Sequence, residues 1–187
     1  MKVKKQEAFE KTKLTKSKIR FITVSALFAA VVSVCAPFSF PIGTVPISAT
    51  TFFVYLSGLM LGWRGCFPML CYFVIGALGF PVFSGFSGGV GHLVGPTGGF
   101  IVSYPISSLV IGLLRRENRI VRNFFALFIG AFACYIIGLG WYCIETSVGP
   151  GEAVIVVVLP FVVTEILKII AAYFVYSIIR KNFRVGV

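Results

Sequence analysis

Two ionisable residues, Glu165 and Lys168, stand three positions apart inside EAVIVVVLPFVVTEILKIIAAYFVYSIIR, a stretch that is otherwise apolar between its ends. On a helix, i and i+3 share one face, so the two charges can neutralise one another. Glu165 lies about 20 Å along the helix from Glu152, and Lys168 about 18 Å from Arg180. Both are therefore deep, where insertion scales put a single charge at about 2.5–3.5 kcal/mol. Packed hydrophobes would stabilise such a helix at least as well as a buried pair. A carboxylate beside an ammonium in an apolar cavity has another use: it accepts from and donates to one polar ligand. An amide or urea group, with N–H donors and a C=O acceptor, matches that pattern. Pro160, five residues before the Glu, predicts a kink.

The same two residues could instead be the base and acid of an intramembrane enzyme, with Cys143 as nucleophile or His92 as a further base. No Ser/His/Asp or metal-ligand constellation accompanies them, and a lone loop histidine is usually incidental. A channel would carry charged rings or polar stripes along several spans; here one span holds the ionisable residues. A binding protein is the better reading.

The second stretch is GFSGGVGHLVGPTGG, residues 85–99, with seven glycines and no fixed charge. It is too long for a turn and too neutral for an exposed linker. Glycine lets backbone approach a ligand closely. Thr97 is the expected cap of the helix that begins at Gly98, whose early N–H groups lack helical partners and suit a carboxylate or carbonyl. The segment reads as a lid over the mouth of a helix bundle, since irregular backbone at membrane depth survives only where it is packed or lines a cavity.

The elements that position these residues follow from composition. Of 187 residues, 58% are hydrophobic and 12% charged, half the charge of an average soluble domain. The mean hydropathy is +0.97. The expected fold is an all-α integral membrane protein, a six-transmembrane-helix bundle with a glycine-rich external lid loop. Apolar runs fall at about 20–40, 48–62, 66–80, 98–115, 122–144 and 153–180, the second and third joined by the tight turn Gly62-Trp63-Arg64-Gly65. Residues 1–19 form a basic cytoplasmic segment, amphipathic or disordered, and residues 20–182 the substrate-binding domain. The first run is read as a retained span, being too long for a signal-peptide core.

Charge sets the orientation. All Lys and Arg except Lys168 fall in the N-terminal tail, the Arg64 turn, the 115–122 connection or the C-terminus. With six spans these share one side, while 37–47, 81–97 and 145–152 have none. The positive-inside rule then gives a multi-pass protein of the cell membrane with both termini cytoplasmic. The net charge of +11 brackets membrane spans and marks contact with the lipid bilayer; it does not line a nucleic-acid face. The five cysteines show no C-x-x-C pair and read as buried small hydrophobes. No metal site is expected, and no G-x-x-x-x-G-K-[ST] occurs, so ATP is not bound here in the usual way.

Three features together resemble the BioY family, the substrate-binding S components of energy-coupling-factor (ECF) biotin transporters. Gly95-Pro96-Thr97-Gly98-Gly99-Phe100 is similar to the family's GPTGGY/F signature, and Pro81-Val82-Phe83 to its loop opening. Leu159-Pro160-Phe161 followed by Glu165-x-x-Lys168 is similar to its last-helix pattern, which usually has Asp at the acidic position; Glu adds one methylene. The resemblance covers about residues 20–180. It implies a six-helix bundle that binds biotin at its external side under a lid. It also implies docking on a transmembrane coupling protein with two ATPase subunits, which would use the ATP; no cofactor is bound by this chain. Mapped onto these positions, Glu165 and Lys168 hydrogen-bond biotin's polar groups. Ser84, Gly85, Phe86, Gly88 and Gly89 contact the ligand from the loop, Phe86 packing its thioether ring and chain. Ala26 and Ala30, four apart on the first span, let helices approach closely and are similar to the alanine face that meets the coupling protein. Another small vitamin, or a close analogue such as desthiobiotin, fits the residues as well.

Overall fold

The computed structural model describes residues 2–40, 45–117 and 119–182, with the side chains of 2–17 and 182 left aside. Expectations for the side chains of the basic tail, for residues 41–44 and for Arg184 lie outside this description. The chain runs α1 (Lys2–Cys35), β1 (Ser39–Phe40), β2 (Ile47–Ser48), α2 (Thr50–Leu61), α3 (Cys66–Ala77), α4 (Val90–Val94), α5 (Gly98–Leu114), α6 (Ile120–Thr146), α7 (Pro150–Val157) and α8 (Val162–Asn182). By length and composition, Lys18–Cys35, Thr50–Ala77, Ile120–Thr146 and Pro150–Lys181 are each able to cross a membrane, with α5 a shorter apolar helix.

The stretch Thr50–Ala77 is two arms. Gly62 takes φ +66°, and a 3-10 turn spans Gly62–Gly65. A Cβ on Gly65 would meet the Ser57 carbonyl oxygen at 2.6 Å, whereas eight residues of continuous helix would separate them by about 12 Å. The chain therefore doubles back, as the GWRG sequence predicts. Arg115 Nη1 donates to the Leu59 carbonyl at 2.6 Å, supplying a donor in the last turn of α2.

At the centre α5 packs on α2, α3 and α6. Small residues permit the approach: a Cβ on Gly58 would lie 2.8 Å from the Ser108 carbonyl oxygen. Ser57 Oγ and Ser108 Oγ pair at 2.8 Å, and Ser107 Oγ donates to the Gly130 carbonyl at 2.8 Å. In an apolar medium such contacts do the work that hydrophobic burial does in water. Pro160 ends the regular helix as expected: α7 stops at Val157, a 3-10 turn covers Leu159–Phe161, and α8 begins at Val162.

Two features depart from the sequence reading. The Pro-rich stretch after α1 carries a short antiparallel ladder, Ser39 opposite Ser48 and Phe40 opposite Ile47. The glycine-rich loop is also partly regular. It contains a 3-10 turn at Ser84–Phe86, a Phe83–Ser87 bridge and the single-turn helix α4. Tight local turns give backbone N–H and C=O groups of this uncharged segment internal partners.

Candidate ligand site

Glu165 and Lys168 come from the first two turns of α8, directly after the Pro160 break. Lys168 Nζ lies 3.4 Å from Glu165 Oε2 and donates to Thr51 Oγ1 of α2 at 2.9 Å. The carboxylate, 6% exposed, has two further donors: the Tyr55 hydroxyl on Oε1 and the Tyr135 hydroxyl on Oε2 at 3.3 Å. A buried charge survives when it is both paired and hydrogen-bonded, and here both conditions hold.

The bookkeeping of donors leaves capacity over. An ammonium has three protons, and an ionised carboxylate about four lone-pair positions. Two ammonium donors and three acceptor positions are engaged by protein. At least one of each remains, on groups that both line the same cavity.

That cavity lies between α2, α3, α5, α6 and α8. Its volume is about 60 Å³, well below that of an open small-molecule site, so the walls are close. Tyr72, Phe100, Tyr104, Tyr135 and Phe161 give it an aromatic lining, with Ser48, Thr50 and Thr51 as neutral polar points. Thr51 at the start of α2 and Tyr72 in the second half of α3 reach one cavity because the two arms run antiparallel.

The loop residues divide. Ser84, His92 and Thr97 line the cavity, as do Val45, Pro46 and the β2 residues Ile47 and Ser48. Ser84 Oγ donates to Ser39 Oγ at 2.5 Å, joining loop and ladder. The His92 ring stacks on Phe83 with centroids 5.5 Å apart, Nδ1 facing Ser87 Oγ at 3.0 Å and Nε2 facing Thr97 Oγ1 at 3.3 Å. Burial holds this imidazole below its ordinary pKa. Thr97 occupies the N-cap position of α5, but its hydroxyl makes no capping bond and turns to His92.

Gly85, Phe86, Gly88, Gly89 and Gly98 lie outside the lining and shape the loop. Gly85 takes φ +68° and donates its N–H to Pro37 at 3.0 Å; Gly89 takes φ +87° and donates to Gly76 at 2.7 Å. A Cβ on Gly88 would collide with the Phe80 carbonyl, and one on Gly98 with the Leu93 carbonyl. Phe86 is 59% exposed and stacks edge-on with Phe38 at 5.2 Å. Ala26 and Ala30 are exposed on α1, while Ala29 faces the bundle. Cys143 is partly buried outside the cavity lining, and all five cysteines are free thiols.

Thr51, Tyr55, Tyr72, Tyr104 and Tyr135 escaped the sequence reading. A tyrosine in an apolar run looks like core. The one available signal is a hydroxyl that, within a bilayer, needs a partner.

Helical arms turned on a small-residue core, around an aromatic-walled cavity that holds an ion pair, define a polytopic helical membrane protein. The chain belongs to the BioY family, whose model matches residues 6–185. It is 40% identical over 166 residues to the probable biotin transporter BioY of Pyrococcus horikoshii, covering 88% of this chain and 99% of that one. It is 32% identical over 165 residues to the biotin transporter BioY of Thermotoga maritima, covering 87% and 97%. In fold it matches the crystal structure at 2.1 Å of the S-component for biotin from an ECF-type ABC transporter. That match has a TM-score of 0.81 at 22% identity, over 89% of this chain and 93% of the other. These are transporters, and the chain is not an enzyme.

Proposed function

We propose that this chain is the biotin-binding S component of an ECF-type importer, capturing the vitamin at the external face and relying on a coupling protein and two ATPases for energised uptake. The observation that carries the reading is the unspent hydrogen-bonding capacity of Glu165 and Lys168 at a mostly apolar cavity. Biotin's ureido group brings N–H donors and a C=O acceptor, which pair with the carboxylate and the ammonium respectively. Its thioether ring and valeryl chain are apolar, and aromatic walls suit them. Ser84 and Thr97 stand at the loop side of the cavity, where the valerate carboxylate would compete for the hydroxyls that otherwise meet Ser39 and His92.

The close walls imply that the loop opens to admit ligand. Gly85, Phe86, Gly88, Gly89 and Gly98 contribute by setting the backbone of that loop. Ala26 and Ala30 present a small, exposed surface suited to close helix approach by the coupling protein. The Lys/Arg asymmetry supports cytoplasmic termini in the cell membrane.

A competition panel tests the reading. The purified chain should bind labelled biotin, and unlabelled biotin should displace it far better than other vitamins do. A folded chain that prefers an unrelated vitamin would overturn the assignment.

A further inference from the structure

The connection from α5 to α6 and the first turn of α6 together carry four arginines, and the fold uses two of them. Arg115 donates to the Leu59 carbonyl at 2.6 Å, and Arg122 Nε to the Leu114 carbonyl at 2.9 Å, both in last turns of helices. The neighbouring carboxylate, Glu117, is engaged by Arg180 at 3.1 Å. The guanidinium groups of Arg116 and Arg119 have no hydrogen bond or ion pair among the described residues.

These two and Arg122 line an open hollow of about 770 Å³ together with Leu114, Val121 and Phe125. Val121 is 84% exposed and Phe125 63%. They stand in the first two turns of α6, an apolar helix long enough to span a bilayer, so the hollow sits where hydrocarbon meets headgroups. Bare phosphate would satisfy the arginines and leave the apolar side chains uncovered. An uncharged lipid would do the reverse. An occupant with an anionic head and acyl chains meets both demands, and cations beside a cytoplasmic leaflet attract such lipids by about 1 kcal/mol each.

We infer that the Arg116–Arg119–Arg122 hollow at the start of α6 is a binding site for one anionic phospholipid, its phosphate on the guanidinium groups and its chains along Val121 and Phe125.

Native mass spectrometry of the full chain in detergent tests this, titrating phosphatidylglycerol against phosphatidylcholine. The wild type should retain phosphatidylglycerol with a preference on the order of tenfold or more. Arg116→Gln/Arg119→Gln should lose that preference while keeping its helicity and monodisperse elution. Arg64→Gln, which removes a cation outside the hollow, should keep it. Soluble glycerol 3-phosphate should displace no lipid. Equal retention of the two lipids by wild type, an intact preference in the double variant, or displacement by glycerol 3-phosphate would each overturn the site. So would a chain that ignores both lipids but binds an acidic peptide there.

Discussion

The Tyr55 hydroxyl donates a hydrogen bond to Glu165 Oε1 across 110 residues of sequence, tying the middle of α2 to the start of α8. Tyr55 is fully buried, and Glu165 nearly so. The tyrosine thus fixes the carboxylate's rotamer and leaves its second oxygen to Lys168 and Tyr135. It touches the group that would hold the ligand, and it lies outside the cavity lining itself.

Tyr55→Phe should therefore weaken biotin binding without abolishing the fold. A lost hydrogen bond to a buried charged group costs about 1.5–3 kcal/mol, or about ten- to a hundredfold in Kd if it falls wholly on the bound state. Tyr135→Phe, which removes the longer 3.3 Å contact, should cost less. Equilibrium binding beside a thermal melt checks the order; equal effects would contradict the geometry.

Glycine substitutions in the loop should separate by position. Gly88→Ala and Gly98→Ala drive a Cβ into the Phe80 and Leu93 carbonyls, and Gly89→Ala strains a φ of +87°. Each should raise the biotin Kd or slow association. Gly91 meets open space at an ordinary φ, so Gly91→Ala should change neither. A Gly88→Ala chain with wild-type affinity and rates would remove the loop from the binding process.

His92 gives the loop a pH dependence with a definite sign. Its pKa in the fold is depressed by burial, so closure is favoured above the free imidazole value of about 6.5. That stability is lost as pH falls from there through the depressed value, because burial beside Phe83 disfavours the charged ring. Biotin dissociation should accelerate as pH falls below about 6.5. His92→Gln should flatten the profile; an identical profile in that variant would assign the effect elsewhere.

Much of this was legible in the sequence, and the reasons are physical. Gly62 and Gly65 around Arg64 mark the turn, because a positive φ and a backbone contact there leave no room for a Cβ. Pro160 marks the break, and charges as deep as Glu165 and Lys168 require each other. The partners that make the pair tolerable are another matter. Thr51, Tyr55 and Tyr135 are far off in sequence and carry no charge, so only the tertiary fold brings them to the carboxylate and the ammonium. The glycine-rich loop stood out in the sequence, but not which of its residues face the cavity. Gly85 and Gly89 spend their conformational freedom on backbone bonds to Pro37 and Gly76, while Ser84, His92 and Thr97 turn inward. The β1–β2 ladder is two residues per strand, too short for any alternation to register.

The most direct test of the account is equilibrium binding of labelled biotin to the purified chain beside Glu165→Ala and Lys168→Ala, with helicity and elution profile as controls for folding. Wild type should bind tightly, and each folded variant should lose at least a hundredfold, since both remove a charged partner of the ureido group. Wild-type affinity in either folded variant would contradict the claim that the ion pair at the start of α8 holds the ligand.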